Sequence, residues 1–237
     1  MSCAAVAFGI VSSDVVGYAQ SEARSGFKAL GAQFVAVSAA GIDLTEIKVT
    51  GYNPEDGTEG DVTVQGLDAS GKGTGLYYYY DVPGELTGWL DSNDEIVEAG
   101  SVVLAPGEGL WVSAPSTAFG LQTAGKVPTS GISVTLRQGF KLVSNNTPVA
   151  VDLNEIGVSG YNPEDGTEGD VTVQGLDASG KGTGLYYYYD VPGELTGWLD
   201  SNDELVEDGN VSLGAGEALW VSAPNTSFSL VIPGVTL

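Results

Sequence analysis

The chain has no histidine, a single cysteine and only eight basic residues among its 237. Without histidine, the Ser-His and Cys-His pairs that activate nucleophiles are excluded, as are zinc sites built from Cys and His. A glycosidase needs only two carboxylates, so composition alone does not exclude that class. The acids of this chain, however, lie among Gly, Asn and Pro residues, which is typical of solvated turns. We therefore predict a protein that is not an enzyme.

The lone cysteine, Cys3, cannot form a disulfide within one chain. Two interpretations remain open for it: a cross-link between chains, or a place in an N-terminal segment that processing removes. Neither gives the chain a disulfide framework.

The shortage of basic residues leaves a net charge of −23, from 31 acidic and eight basic side chains. Such a charge repels nucleic acid and anionic membranes, and no transmembrane segment is predicted. The acids are interpreted first as a solubilising surface of an exported protein. Calcium binding is the second interpretation, since calcium takes several oxygen ligands from acidic loops. The candidate ligands are Asp56, Glu59 and Asp61, or Asp91, Asn93, Asp94 and Glu95. The second group departs from the EF-hand pattern, because Ile96 stands where that loop requires glycine.

What the chain has in place of catalytic motifs is an internal duplication. The segment from Gly51 to Glu95 recurs without one change from Gly160 to Glu204, and looser similarity extends on both sides. Each identical copy holds ten acids and one lysine, so the two copies account for −18 of the net charge. Exact repetition indicates two copies of one structural unit. We predict an apolar tail over 1–13 and two tandem domains over 14–127 and 128–237.

Abundant glycine and short apolar runs separated by turns predict an all-β fold. Seven or eight short strands per copy suit a β-sandwich or small barrel. The segment Lys126 to Gly131 is the predicted junction, and its shortness favours a fixed pair of domains. The strands predicted in the first copy are Phe34 to Ser38, Ile47 to Gly51, Val62 to Leu67, Leu76 to Val82, Ile96 to Glu98, Val102 to Leu104, Leu110 to Ser113 and Ala118 to Gln122.

Four consecutive tyrosines lie in one predicted strand, whose side chains alternate between two faces. The apolar ends Leu76 and Val82 predict that their face, with Tyr78 and Tyr80, is the core. The opposite face ends in Asp81 and would expose Tyr77 and Tyr79, although burial of both faces between layers remains an alternative. The predicted interface or ligand residues are these two tyrosines, Trp89 in the following turn, and their counterparts Tyr186, Tyr188 and Trp198.

The first thirteen residues carry no charge and lie outside the repeat. One interpretation is the remains of a secretory signal, whose apolar stretch is present but whose basic start is missing. The other is an extra N-terminal strand, with Val6, Phe8 and Ile10 on one face. Such a strand can add to an open sheet edge of a neighbouring subunit. Because donor and acceptor surfaces differ, this contact need not close and yields a filament.

A second pattern lies beyond the identical block. It consists of VVGYAQ near the start and the segments Pro106 to Pro115, Ala124 to Pro128 and Gly214 to Pro224. It resembles a group of uncharacterised secreted bacterial tandem β-repeat proteins. Their repeats end in a PGEGFWV-then-P, then GEVP sequence. The resemblance implies export and an extracellular role.

Taken together, these features predict an extracellular or cell-surface structural protein that polymerises into a filament or surface layer through its N-terminal strand. The alternative is a secreted carbohydrate-binding or adhesive protein that uses the exposed tyrosines and tryptophans as sugar platforms. No cofactor is predicted apart from the calcium interpretation.

Overall fold

The computed structural model describes residues 16–23, 26–31, 41–51, 62–68, 70–82, 84–114, 119–160, 171–176, 181–191, 193–224 and 228–236, with only the backbone for 16–19, 21–23 and 176. The predicted assembly residues Val6, Phe8 and Ile10 lie outside this set. The described residues form short β-strands joined by turns, with two single-turn 3₁₀ helices at Leu44–Glu46 and Leu153–Glu155. None of the helices in this part of the chain is long and apolar enough to cross a membrane.

Repeat 1, residues 16–126, contributes the first ten strands of the described chain. They are β1 Val16–Ala23, β2 Gly26–Gly31, β3 Ile42–Asp43, β4 Lys48–Thr50, β5 Thr63–Leu67, β6 Gly73–Val82, β7 Leu86–Leu90, β8 Val103–Leu104, β9 Gly109–Ala114 and β10 Phe119–Lys126.

Repeat 2, residues 132–236, contributes ten more in the same order. They are β11 Ile132–Thr135, β12 Gly139–Ser144, β13 Val151–Asp152, β14 Gly157–Ser159, β15 Thr172–Leu176, β16 Gly182–Val191, β17 Leu195–Leu199, β18 Ser212–Leu213, β19 Ala218–Ala223 and β20 Ser229–Ile232.

Each repeat folds its strands into three antiparallel sheets. In repeat 1 the orders are β1-β10-β4, β2-β9-β5-β6-β7 and β3-β8, and repeat 2 reproduces them as β11-β20-β14, β12-β19-β15-β16-β17 and β13-β18. The prediction of an all-β, β-sandwich-like chain is confirmed. No described sheet mixes strands from both repeats, and the chain passes from β10 to β11 across 127–131.

The core of each repeat lies between its three-stranded and five-stranded sheets. Alternation sets which side chains enter it: in β11, Ile132 and Val134 are buried while Ser133 and Thr135 are exposed. The same positions fill both cores, for example Phe119 in repeat 1 and Phe228 in repeat 2. Equal sequences therefore reach equal environments, as the duplication predicts.

Each repeat has ten described strands rather than the seven or eight predicted, and two individual strand predictions also need correction. The predicted strand Ile96 to Glu98 is reduced to one bridging residue, Ile96, which pairs with Leu90. The segment around Trp89, predicted as a turn, is strand β7. Its Leu-Thr-Gly-Trp-Leu sequence has glycine in the middle, which hides the strand pattern because glycine is uncommon there. The predicted strand Phe34 to Ser38 lies outside the described residues.

The two repeats contact each other reciprocally. The amide of Gly31 donates to the carbonyl of Gly216 at 2.9 Å, and the amide of Ser144 donates to the carbonyl of Gly107 at 2.8 Å. Gly31 and Ser144 occupy equivalent positions in the repeats, as do Gly107 and Gly216. Each repeat therefore uses the same two positions to contact the other repeat. Such a surface is isologous, as in a two-fold dimer.

Equivalent residues meet directly along the axis of this pseudo-two-fold contact. The indole rings of Trp111 and Trp220 lie 5.8 Å apart in an edge-to-face arrangement. A Cβ at Gly31 would fall 2.1 Å from the Cβ of Ser144, its counterpart. A Cβ at Gly109 would likewise fall 2.7 Å from that of Ala218. Small residues are therefore required for the backbones of the two repeats to approach this closely.

Aromatic rings and ion pairs surround the axis. Phe27 packs on Trp111 with ring centres 5.4 Å apart, and Phe140 packs on Trp220 at 5.3 Å. Two ion pairs also repeat: Lys28 with Glu217 at 4.0 Å and Lys141 with Glu108 at 3.5 Å. Each ion pair is partly solvated and contributes little to stability, so the rings and backbone bonds hold the interface.

Gly107→Ala tests the closeness of the repeats. Gly107 has φ +84°, and a Cβ there would come 2.1 Å from Val134 of repeat 2. Gly100→Ala is a matched control, because Gly100 has φ +83° and open space around it. Both changes carry the same left-handed strain, so we expect Gly107→Ala to lose about 1–3 kcal/mol more unfolding free energy, as overpacking does. Urea denaturation measures the difference, and equal losses would contradict this packing.

Candidate functional site

The tyrosine strand alternates as predicted, but its faces are reversed. Tyr77 and Tyr79 of β6 pack on the repeat 1 core, and Tyr79 is only 9% exposed. Tyr186 and Tyr188 of β16 pack on the repeat 2 core in the same way. The prediction that this face is exposed is wrong for Tyr79, while Tyr77, Tyr186 and Tyr188 are partly buried.

The tryptophans predicted to extend an aromatic surface are buried. Trp89 is 2% exposed and Trp198 is 1% exposed. The indole Nε1 of Trp89 donates to the carbonyl of Ile47 at 2.9 Å, and its ring meets Tyr79 edge to face at 5.3 Å. Trp198 repeats this geometry with Ile156 and Tyr188. The structure thus brings three of the six predicted residues together in each repeat, with the tryptophan in the core and the tyrosines packed on it.

The face of β6 that points away from the core is tied to the acidic turn after β7. The Tyr78 hydroxyl donates to the carboxylate of Asp94, and Tyr187 does the same to Asp203. Both aspartates have φ 63°, a left-handed conformation that Asp tolerates better than most residues. Each of these carboxylates is therefore held by a hydrogen bond from a tyrosine hydroxyl.

The first aspartate of the same turn organises its backbone. Oδ1 of Asp91 accepts hydrogen bonds from the amides of Asn93 at 2.8 Å and Glu95 at 3.0 Å. The amide of Glu95, and then that of Asn93, lowers the pKa of Asp91, because both bonds favour the charged form. Asp200 makes the equivalent bonds in repeat 2, and its pKa is lowered for the same reason.

The calcium interpretation gains no built site from these turns. Within the described ranges, no group of three or more acidic or cysteine side chains is placed to hold a metal ion. The other candidate ligands, Asp56, Glu59 and Asp61, lie outside the described residues.

A shallow groove lies beside this turn in repeat 1 and has exposed aliphatic side chains. Leu76 is 39% exposed and Ile96 is 56% exposed. Its volume is about 360 Å³. Polar side chains form its rim, and they are Asp91, Ser92, Glu95, Glu98 and Ser101. We call this the repeat 1 groove.

The repeat 2 groove is its counterpart, with a volume of about 420 Å³. Leu185 is 41% exposed there and Leu205 is 48% exposed. Its rim residues are Asp200, Ser201, Glu204, Glu207 and Asn210. An aliphatic pair thus lies at the same place on both repeats, at the border where the five-stranded sheet ends with the bridges Leu90–Ile96 and Leu199–Leu205.

Sequence reasoning placed Leu76 in the core and did not single out Ile96 as a surface residue. One signal was available. Ile96 and Leu205 follow directly on the acidic sequence DSNDE and differ from each other, yet both are aliphatic. A large aliphatic residue next to both copies of an acidic turn indicates a surface that contacts another segment or molecule.

No protein-family model matches the chain, and the searches of curated proteins and of solved structures likewise find no match.

Tyr79→Ala tests the reversed faces of the tyrosine strand. We expect a loss of about 3–5 kcal/mol of unfolding free energy, as for other large core truncations. Tyr78→Ala should cost clearly less, because its ring lies outside the core and its hydroxyl binds Asp94. Tyr78→Phe isolates that hydroxyl. Chemical denaturation of the three variants gives the ranking, and a larger loss for Tyr78→Ala would contradict the assigned face.

The lowered pKa values of Asp91 and Asp200 predict an acid-sensitive turn. A carboxylate whose pKa falls on folding stabilises the protein above its unfolded pKa of about 3.9, and this stabilisation is lost as pH falls through the folded pKa. The double variant Asp91→Asn, Asp200→Asn should therefore lose less melting temperature than the parent between pH 5 and about 2.5. Parallel melting curves for both proteins over that range would contradict the assignment.

Proposed function

We propose that the chain is an extracellular structural protein without catalytic activity that assembles from many copies. Residues 1–13 of one copy lie in a groove of the next. The observation that carries this proposal is the aliphatic pair exposed at the same sheet border of both repeats. Exposed aliphatic residues at a repeated place are typical of interaction surfaces.

Charge favours the N-terminal segment as the occupant. With a net charge of −23 and carboxylates on both groove rims, the faces of two copies repel each other. Residues 1–13 carry no charge, so they approach without that repulsion. Covering Leu76 and Ile96 with apolar side chains stabilises the contact by about 25 cal/mol for each Å² removed from water.

Backbone pairing supports the same occupant. The five-stranded sheet of repeat 1 ends at β7 and the single bridge to Ile96. A strand that adds beside such a border gains main-chain hydrogen bonds and places alternate side chains on one face. Val6, Phe8 and Ile10 alternate along the sequence, so a strand would place all three on one face.

The number of sites sets the kind of assembly. Each chain has one N-terminal segment and two grooves, so a linear filament fills only one groove per chain. Because such a filament leaves no segment over, the second groove stays open, and a surface layer needs a further kind of contact between filaments. Because the contact joins unlike surfaces, it does not close on itself.

An extracellular location fits the acidic surface and the resemblance to secreted repeat proteins. Sugar binding remains the alternative function. Tyr79, Trp89 and Trp198 are buried in the cores, whereas the partly buried Tyr77 and Tyr186 line the repeat 1 and repeat 2 grooves. The most exposed positions of both grooves are nevertheless aliphatic, which favours an apolar occupant.

Removal of residues 1–13 tests the donor. We expect the shortened chain to keep its β-rich circular dichroism spectrum and to remain monomeric at concentrations where the full chain assembles. Electron microscopy and light scattering measure this. A peptide of residues 1–13 should then block growth of the full chain. Assembly of the shortened chain at the normal rate would overturn the proposal.

The double variant Ile96→Gln, Leu205→Gln tests the acceptor without changing charge. Burying the glutamine amide under an apolar segment costs about 1–3 kcal/mol of binding free energy per site. We therefore expect the affinity between copies to fall about tenfold or more. Val149→Gln is the control, since Val149 is 50% exposed and does not line either groove. If the double variant and Val149→Gln assemble equally, the grooves are excluded as the acceptor. The parent chain and both variants should have the same melting temperature, because all the changed residues are on the surface.

A further inference from the structure

A cavity of about 430 Å³ opens between the two repeats. It adjoins the repeat 2 groove, with which it shares Gly184, Tyr186 and Val211, but Leu185 and Leu205 do not line it. Its walls are aliphatic side chains from the interior of repeat 2, among them Leu153, Val173, Leu213 and Leu219. Strand β2 of repeat 1 closes one side with Lys28 and Ala29. The cavity therefore depends on both repeats.

The pseudo-two-fold relation explains why there is space on this side. Ala29 in Gly-Phe-Lys-Ala occupies the position of Leu142 in Gly-Phe-Lys-Leu. Both side chains belong to the same buried cluster at the interface. Alanine leaves empty the volume that the leucine side chain fills in the equivalent position, and cores otherwise fill such space. A missing side chain in an otherwise repeated interface points to an occupant.

The polar groups at this cavity are few and balanced. Lys28 and Glu217 face each other at 4.0 Å, and Thr183, Tyr186 and Ser212 add hydroxyl groups. One ammonium and one carboxylate leave no net charge. A hydroxyl or amide on a ligand satisfies both, because it donates to the carboxylate and accepts from the ammonium. A ligand carboxylate would instead compete with Glu217 inside a protein of charge −23.

We propose that this cavity binds a neutral amphiphile with an alkyl or aryl body of about eight to ten carbon atoms and one hydroxyl or amide group. Apolar cavities of about 150 Å³ accept benzene, so a cavity of about 430 Å³ has room for a body of this size with space to spare. Aliphatic walls with a few convergent polar groups are the usual composition of small-molecule sites. The body lies against Val173 and Leu213, and the head group lies between Lys28 and Glu217.

Three eight-carbon probes test the ligand class on the full chain. We expect 1-octanol to bind at least tenfold more tightly than octanoate or octylammonium, each of which brings an unbalanced charge to the Lys28–Glu217 pair. Methyl NMR titration gives the dissociation constants and locates the probe. The methyl signals of Val173, Leu213 and Leu219 should shift first. Absence of 1-octanol binding, or shifts confined to Leu76 and Ile96, would overturn the proposal.

Ala29→Leu copies the opposite repeat and tests the site itself. We expect 1-octanol binding to fall at least tenfold, while the melting temperature stays equal or rises because a cavity is filled. Ala124→Leu on the exposed side of β10 is the matched control and should bind as the parent does. Undiminished binding by a folded Ala29→Leu would exclude this cavity. If that variant does not fold, the methyl shifts of the parent chain still decide the location. Assembly is a separate readout, so this result stands whether or not the N-terminal segment drives polymerisation.

Discussion

The close approach of the two repeats is the contact on which the other features depend. Backbone groups of Gly31, Gly107, Ser144 and Gly216 bond reciprocally, so the repeats are held by main-chain atoms and not only by side chains. Buried backbone groups must be paired, which makes this contact difficult to loosen in part. It fixes β2 against repeat 2 and thereby forms one wall of the inter-repeat cavity. It also leaves both grooves facing solvent with their aliphatic pairs exposed.

The division between identical and divergent sequence follows this arrangement. Strands β5 to β7 and the acidic turn lie in the block that is identical in both repeats. This block supplies the whole tyrosine strand, the buried tryptophan and about half of the residues that line each groove. Gly31, Gly107, Gly109 and Trp111 at the interface lie outside that block. Most residues that have the same role within each repeat are identical. At the axis, Gly31 faces the larger Ser144 and Gly109 faces the larger Ala218, whereas Trp111 faces the identical Trp220.

Much of the fold could be predicted from the sequence, because turn residues and short apolar runs are local signals. The face of the tyrosine strand could not. Alternation placed Tyr77 with Tyr79 correctly, but the core side was chosen from Leu76 and Val82 at the strand ends. Leu76 lies in the exposed groove, and the deciding neighbour of Tyr79 is Trp89, which is paired with it across the sheet. The inter-repeat cavity was equally hidden, since it arises from one alanine compared with a leucine in a distant, loosely similar segment.

The unequal side-chain sizes at the axis limit which repeats can pair in this arrangement. Gly31 lies where even one added carbon would meet the Cβ of Ser144, and Gly109 lies in the same way against Ala218. Two copies of repeat 2 in this arrangement would place serine against serine and alanine against alanine. Their side chains would clash, because neither position has a glycine. By volume, the interface therefore excludes the pairing of repeat 2 with itself. Joining the repeats in one chain allows the two sides of a symmetric contact to change independently, which two identical subunits cannot do.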